Sequence, residues 1–389
     1  MLSFGVSGNP GPDDGYNPFS VVHKKHGGKS LPVLELLSKV ADADTTHIHR
    51  QTGLSEIEAR RFLADLERCG LVVKKGSDHY RINFAAFDPE IWQILDTPMR
   101  RMARQMSLQA REIVPDLQAE YPRTNLSRAG FPFSLVGAIV IGAFGLDESG
   151  VGRLAERDLI WVAKPQPGRR RYTILCQIGA PSPYPLYGIH SDTFAGVGFC
   201  CFGENSQMNK RREEVKALPD LVWHWKAQGG SMDEIEIFTR WLAALTKEHA
   251  NRPFKLEDRP RAETSVSLDR SQKAFAMACE NGLIGASSKG GYGLRFPVFD
   301  HHDLSLFAPF RDRTAIIVVN EMLKMRELFR SAYERTRFHE QGINLQEVMN
   351  LVYHHSYSLA FEDLLSSERS VCLPAHDGLQ SVGYALLWK

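Results

Sequence analysis

Asp300-His301-His302-Asp303 places two carboxylates and two imidazoles in four successive positions, the side-chain types that hold divalent metals. A catalytic metal site needs further carboxylates or histidines to close its shell. No convincing companion set accompanies this run, so no metal is expected. His354-His355 falls on an expected helix, where neighbours point about 100° apart and cannot readily share one ion. His190 and Asp192 lie close together, yet no GxSxG elbow, HExxH pair or P-loop accompanies them. Trp223-His224-Trp225 could stack on bases, but anchoring in a core is the commoner use of such aromatics. The cysteines, Cys69, Cys176, Cys200, Cys201, Cys279 and Cys372, contain no CxxC pair and read as reduced thiols. Neither an enzyme nor a cofactor is expected.

Basic side chains offer a different chemistry, the recognition of phosphates and base edges. Arg60 and Arg61 are adjacent, with Lys74, Lys75, His79 and Arg81 following within a short stretch. An arginine fork can clamp a phosphate or pair with a guanine edge. Glu56 argues the other way, because a carboxylate near phosphates is repelled. A second group comprises Arg270, Gln272, Lys273 and Lys289. Further clusters are Arg100-Arg101 with Arg104, Arg169-Arg170-Arg171, and Lys210-Arg211-Arg212, the last followed at once by Glu213 and Glu214. Each neutralised phosphate would strengthen binding by releasing counterions. The whole chain has 47 Lys plus Arg against 46 Asp plus Glu, a net charge of +1, so attraction to a polyanion must come from such local patches.

These side chains must be positioned by ordinary globular elements. The 389 residues suffice for two or three domains at roughly 100–200 residues each. A hydrophobic share of 43% excludes a disordered polyampholyte. Residues 1–29, rich in Gly, Pro, Asn and Asp, are expected to form an irregular arm without signal-peptide features. Ser30 can then cap a helix with Pro32 in its first turn and Leu34, Leu37 and Val40 at helical spacing. Asp44 can cap a second helix that ends at Gly53. Ser55 and Glu58 form a capping box for a third, with Ala59, Phe62, Leu63 and Leu66 on its inner face. Leu71-Val72-Val73 and His79 to Phe84 read as two strands, with Lys74-Lys75-Gly76-Ser77-Asp78 as the turn.

Three helices and a hairpin in that order, over residues 30–88, resemble the MarR- and ArsR-like winged helix-turn-helix regulators. The resemblance rests on TGLSEIEARRFLADLERCGLVVKKGSDHYRINF. It implies a third helix that enters the major groove and a wing that touches the flanking backbone or minor groove. Ser267 to Asp300 echoes Ser55 to Asp88 without a gap: Gly70 matches Gly282, Leu71 Leu283, Tyr80 Tyr292, Phe84 Phe296, Phe87 Phe299 and Asp88 Asp300. Residues 227–300 are therefore read as a second winged-helix domain. Paired modules are similar to the plasmid replication initiators.

The expected class is α+β. Linker helices fill 89–130, with a break at Pro98, and a β-rich central region spans 131–226. The C-terminal region, 301–389, is helical up to a short terminal strand, Gly383 to Trp388. The apolar stretch Phe131 to Leu146 is shorter than the roughly 20 residues a membrane span needs, so a buried strand or helix is expected and no membrane partner. The expected function is double-stranded DNA binding in the cytoplasm, by a transcription regulator or a replication-initiator-like protein, with protein partners or a homodimer allowed. The alternative is a structural subunit of a larger nucleoprotein complex of mobile-element or defence type, in which the winged folds dock partners.

Overall fold

The computed structural model describes residues 2–180, 182–205, 217–255, 268–368, 370–376 and 379–387. It is 58% helical with 17% strand, a mixed α and β protein as expected, but with helix where part of the central region was read as β. The chain begins with β1 (Leu2–Asn9), α1 (Leu31–Lys39), the short β2 (Ala43–Asp44), α2 (Thr45–Thr52) and α3 (Glu56–Arg68). Next come β3 (Val72–Lys75), β4 (His79–Ile82), β5 (Ala86–Phe87), α4 (Pro89–Arg111), α5 (Val114–Glu120) and α6 (Asn125–Ala129). The long α7 (Phe133–Glu156) leads to β6 (Pro165–Gln166), β7 (Arg170–Ile178), β8 (Tyr187–Phe194) and β9 (Val197–Glu204). After α8 (Leu218–Ala227), α9 (Met232–Glu248) and α10 (Leu268–Glu280) lie β10 (Ile284–Ala286), β11 (Tyr292–Leu294) and β12 (Val298–Phe299). The chain closes with α11 (His301–Glu334), α12 (Arg337–Glu340), α13 (Leu345–Ser367), β13 (Ala375–His376) and β14 (Leu379–Leu387).

Two compact units divide these elements, and neither is one continuous stretch. Unit one holds Met1–Ala103, Val151–Tyr184 and Val319–Ser356. Its helices α1 to α3 start and stop by local chemistry. The Asp44 carboxylate accepts from His47 N at 2.6 Å, and Gly53 ends α2 in the left-handed region at φ 71°. Ser55 Oγ accepts from Glu58 N at 3.2 Å, while Glu58 accepts from Ser55 N at 3.1 Å, so the capping box is formed in both directions. Ser30 departs from expectation. Its hydroxyl makes no cap and instead bonds His26 Nδ1 at 2.9 Å.

Ala59, Phe62, Leu63 and Leu66 of α3 are fully buried, and the hairpin β3–β4 pairs Val72 with Ile82 and Lys75 with His79. The expected irregular arm is instead tied down: β1 pairs antiparallel with β7, whose other edge takes β5 in parallel. Behind it, His26 and Lys25 reach the buried Asp65 of α3 at 3.1 and 2.6 Å. The 319–356 segment seals the module from below. Arg337 Nη1 donates to Asp88 at 2.7 Å and its Nε to Ser38 O at 2.7 Å, while Gln341 Nε2 donates to Val40 O at 2.9 Å.

Unit two holds Arg104–Gly150, Pro185–Val318 and Tyr357–Lys389. Its sheet runs β12–β14–β9–β8, with β13 also paired to β14. Phe199, Leu218, Leu221, Phe238, Leu242 and Val298 centre one core that joins this sheet to α8, α9 and α10. The apolar stretch Phe131 to Leu146, expected as buried strand or helix within a β-rich region, is helix from Phe133 on. Alternating and continuous apolar runs cannot be told apart by periodicity once every face is buried. Gly142 and Gly145 suit that helix, since a Cβ there would stand 2.6 Å from Phe202 and 2.6 Å from Thr314. By length and composition α7 could cross a membrane, but 72% of its most apolar window is buried inside the protein. Pro98 sits inside α4 without ending it.

Candidate nucleic-acid interface

The outward face of α3 is read off its helical spacing: Ile57, Arg60, Arg61 and Ala64 recur at one side and are all exposed. Arg60 is engaged on its own surface. It donates to Glu56 Oε1 at 2.8 Å and to Asp78 Oδ1 at 3.2 Å, and Asp78 also accepts from Thr45 Oγ1 at 2.7 Å. This chain of bonds ties the hairpin turn to α2 and α3. The Thr45 hydroxyl, with Arg60 beside it, holds the Asp78 carboxyl below its usual range. Solvent screens exposed pairs of this kind, so moving the guanidinium onto a phosphate costs little. Arg61 is exposed, its guanidinium carbon 5.1 Å from the Phe62 ring centre.

On the hairpin, Lys74 is exposed over Tyr80 at 5.9 Å, and Lys75 and His79 share Asp42 at 3.5 and 2.9 Å. Arg81 does not join this surface. It is half-buried and donates to Gln341 O at 2.9 Å, a structural bond. Thus Arg60, Arg61, Lys74 and Lys75 belong to one helix-and-hairpin module, while Arg81 faces inward from it.

The second group is arranged in the same way on α10 and the β10–β11 hairpin. Asp269, Gln272, Lys273 and Ala276 form the exposed face. Lys273 pairs with Glu234 of α9 at 2.5 Å, and that ammonium holds the Glu234 carboxyl below its usual value. Arg270 is exposed one position round the helix. Lys289, at the hairpin tip, donates to Arg128 O at 3.0 Å. The segment that would supply a helix equivalent to α2 lies outside the described residues.

The triple arginine divides. Arg169 and Arg171 are exposed at the start of β7, whereas Arg170 is nearly buried, paired with Asp14 at 2.5 Å and stacked over Tyr16 at 5.8 Å. Arg170 therefore staples the N-terminal segment. Lys210, Arg211 and Arg212 lie outside the described residues.

Asp300 and Asp303 serve a helix start. Asp300 Oδ1 accepts from Asp303 N at 2.9 Å, its Oδ2 accepts from Asn125 Nδ2 at 2.7 Å, and Asp303 Oδ1 accepts from Asn125 N at 2.7 Å. His302 bonds Arg123 O at 3.2 Å. Among the described residues no group of three His, Cys, Asp or Glu is placed to hold a metal. His190 pairs with the buried Asp220 at 2.8 Å rather than with Asp192, fastening β8 to α8. Trp225 packs edge-on against Phe238, while Trp223 is partly exposed.

One residue on the candidate face escapes a sequence reading. Ile57 is 82% exposed at the first turn of α3, beside Arg60 and Arg61. Its signal is a phase mismatch: it falls outside the Ala59, Phe62, Leu63, Leu66 stripe, so an apolar side chain must face water. Comparison with known protein families, curated proteins and solved structures finds no match to this chain.

Proposed function

We propose that this protein binds double-stranded DNA through two winged-helix modules, α1–α3 with β3–β4 and α9–α10 with β10–β11, as a transcription regulator or replication-initiator-like protein. The supporting observation is the recurrence, in one chain, of a helix presenting exposed cationic and amide side chains beside an exposed hairpin. In this reading the outward faces of α3 and α10 enter the major groove and the hairpins follow the backbone. Arg60 exchanges Glu56 for phosphate, Arg61 meets a base edge, and Lys74 and Lys289 neutralise flanking phosphates. The mechanism is binding and positioning, with no bond made or broken.

A docking role in a nucleoprotein complex is favoured by a different observation. Ile57 is open to solvent, and Arg60 is already held by two carboxylates. The double variant Arg60→Ala, Arg61→Ala separates the two. A DNA reader loses sequence discrimination and on the order of tenfold or more in affinity. A docking module keeps its DNA affinity and loses a co-purifying partner instead.

A further inference from the structure

We infer that one copy of this chain reads a bipartite duplex with two unlike half-sites, because the chain is a duplicated unit whose frame is retained and whose reading faces have diverged. The inference rests on the DNA reading above.

The duplication extends far beyond the two helix-and-hairpin modules. In unit one, β5 lies parallel to β7 with Ala86 opposite Cys176. In unit two, β12 lies parallel to β14 with Val298 opposite Ala385. Each of these central strands takes an antiparallel neighbour on its other edge, β1 on β7 and β9 on β14. Each also takes a two-residue strand from the turn just before it, β6 on β7 and β13 on β14.

The local devices repeat with the same spacing. Leu71 N donates to Leu66 O at 2.9 Å and Leu283 N to Ala278 O at 2.8 Å, after left-handed Gly70 and Gly282. Asp88 Oδ1 accepts from Ile91 N at 2.9 Å, as Asp300 Oδ1 accepts from Asp303 N. Thr124 Oγ1 donates to Tyr121 O at 2.7 Å, and Thr336 Oγ1 to Tyr333 O at 2.6 Å. Gly130 and Gly342 end the short helices that follow, both at positive φ.

The composition of the units adds a second argument. The partner of Asp88 in unit one is Arg337, from the second copy. The partner of Asp300 in unit two is Asn125, from the first, each at 2.7 Å. Unit one is completed by Val319–Ser356 and unit two by Arg104–Gly150. Each unit thus takes its middle helices from the other copy, an exchange that in separate chains would make a swapped dimer. Joined in one chain, it supplies two reading units without a second molecule.

Where the frame is kept, the reading faces differ. Ile57, Arg60 and Arg61 on α3 stand where α10 has Asp269, Gln272 and Lys273. Lys74-Lys75 in the first hairpin stands where Ala286-Ser287 lies in the second. Arginine favours guanine, and an apolar side chain meets the thymine methyl group. Glutamine favours adenine, and a carboxylate accepts from the cytosine amino group. Two such faces select different half-sites.

The test is selection of bound sequences from a random duplex pool with the full chain, followed by native mass measurement of the complex on the selected duplex. The expected result is one chain per duplex and a two-part motif. Arg61→Ala then relaxes one part and Gln272→Ala the other, each by on the order of tenfold. Two chains per duplex, or a single motif block touched by only one of these variants, overturns the inference and leaves DNA binding intact. A pool with no enriched sequence and no retained duplex overturns the DNA reading and this inference together.

Discussion

Asp303 shows how one residue can carry a cost that its counterpart avoids. It is fully buried, and burial pushes its carboxyl up to about 6, against the lowering effect of the Asn125 amide. The matching position in the first copy is the buried Ile91, which has nothing to ionise. Between about pH 4 and pH 6 the folded chain keeps a proton that the unfolded chain has released. Stability is therefore fully present below about pH 4 and declines as pH rises through about 6, by roughly 2–3 kcal/mol in all. Asp303→Asn retains an oxygen acceptor for Asn125 N and removes the titration. Denaturant unfolding of that variant should show a flatter profile across this window and a gain near neutral pH. Profiles that run parallel to the parent would contradict the assignment.

Elements were legible where their cause is local. The capping box at Ser55 and Glu58, the stop at Gly53 and the hairpin after Gly70 follow from side-chain chemistry within a few residues, and the structure forms all three. Elements that depend on distant partners were not legible. β1 exists because β7 offers it an edge, and nothing within Leu2–Asn9 announces that strand. α7 could not be told from a buried strand in the sequence, because its Gly-containing apolar run is buried on every side, which removes the amphipathic signal. Arg81 looked like a wing cation until the Gln341 carbonyl, far away in sequence, gave it a partner. Gly70 is the element-scale test. Its φ is 77°, and a Cβ would stand 2.4 Å from Gln166 Oε1 and 2.8 Å from Pro167 Cδ. Gly70→Ala should cost roughly 1–3 kcal/mol in urea unfolding, combining left-handed strain with overpacking. A neutral result would mean that the approach of the β6 turn to the end of α3 is looser than described.

At the scale of the whole molecule, the repeat was visible in sequence only between Ser55–Asp88 and Ser267–Asp300, where core and turn residues are matched in type. Beyond that stretch the copies preserve hydrogen bonds and strand register with different residues, as Arg337 and Asn125 do against Asp88 and Asp300. Near-neutral net charge leaves the proposed recognition to a few exposed side chains, and the copies differ at those positions. The most direct test of DNA recognition is equilibrium binding of the purified chain to random duplex at about 50 and about 200 mM salt. If the exposed cations of both modules contact about six phosphates, affinity should fall roughly 1000-fold between these conditions. Negligible binding at the lower salt, or binding indifferent to salt, would contradict the account.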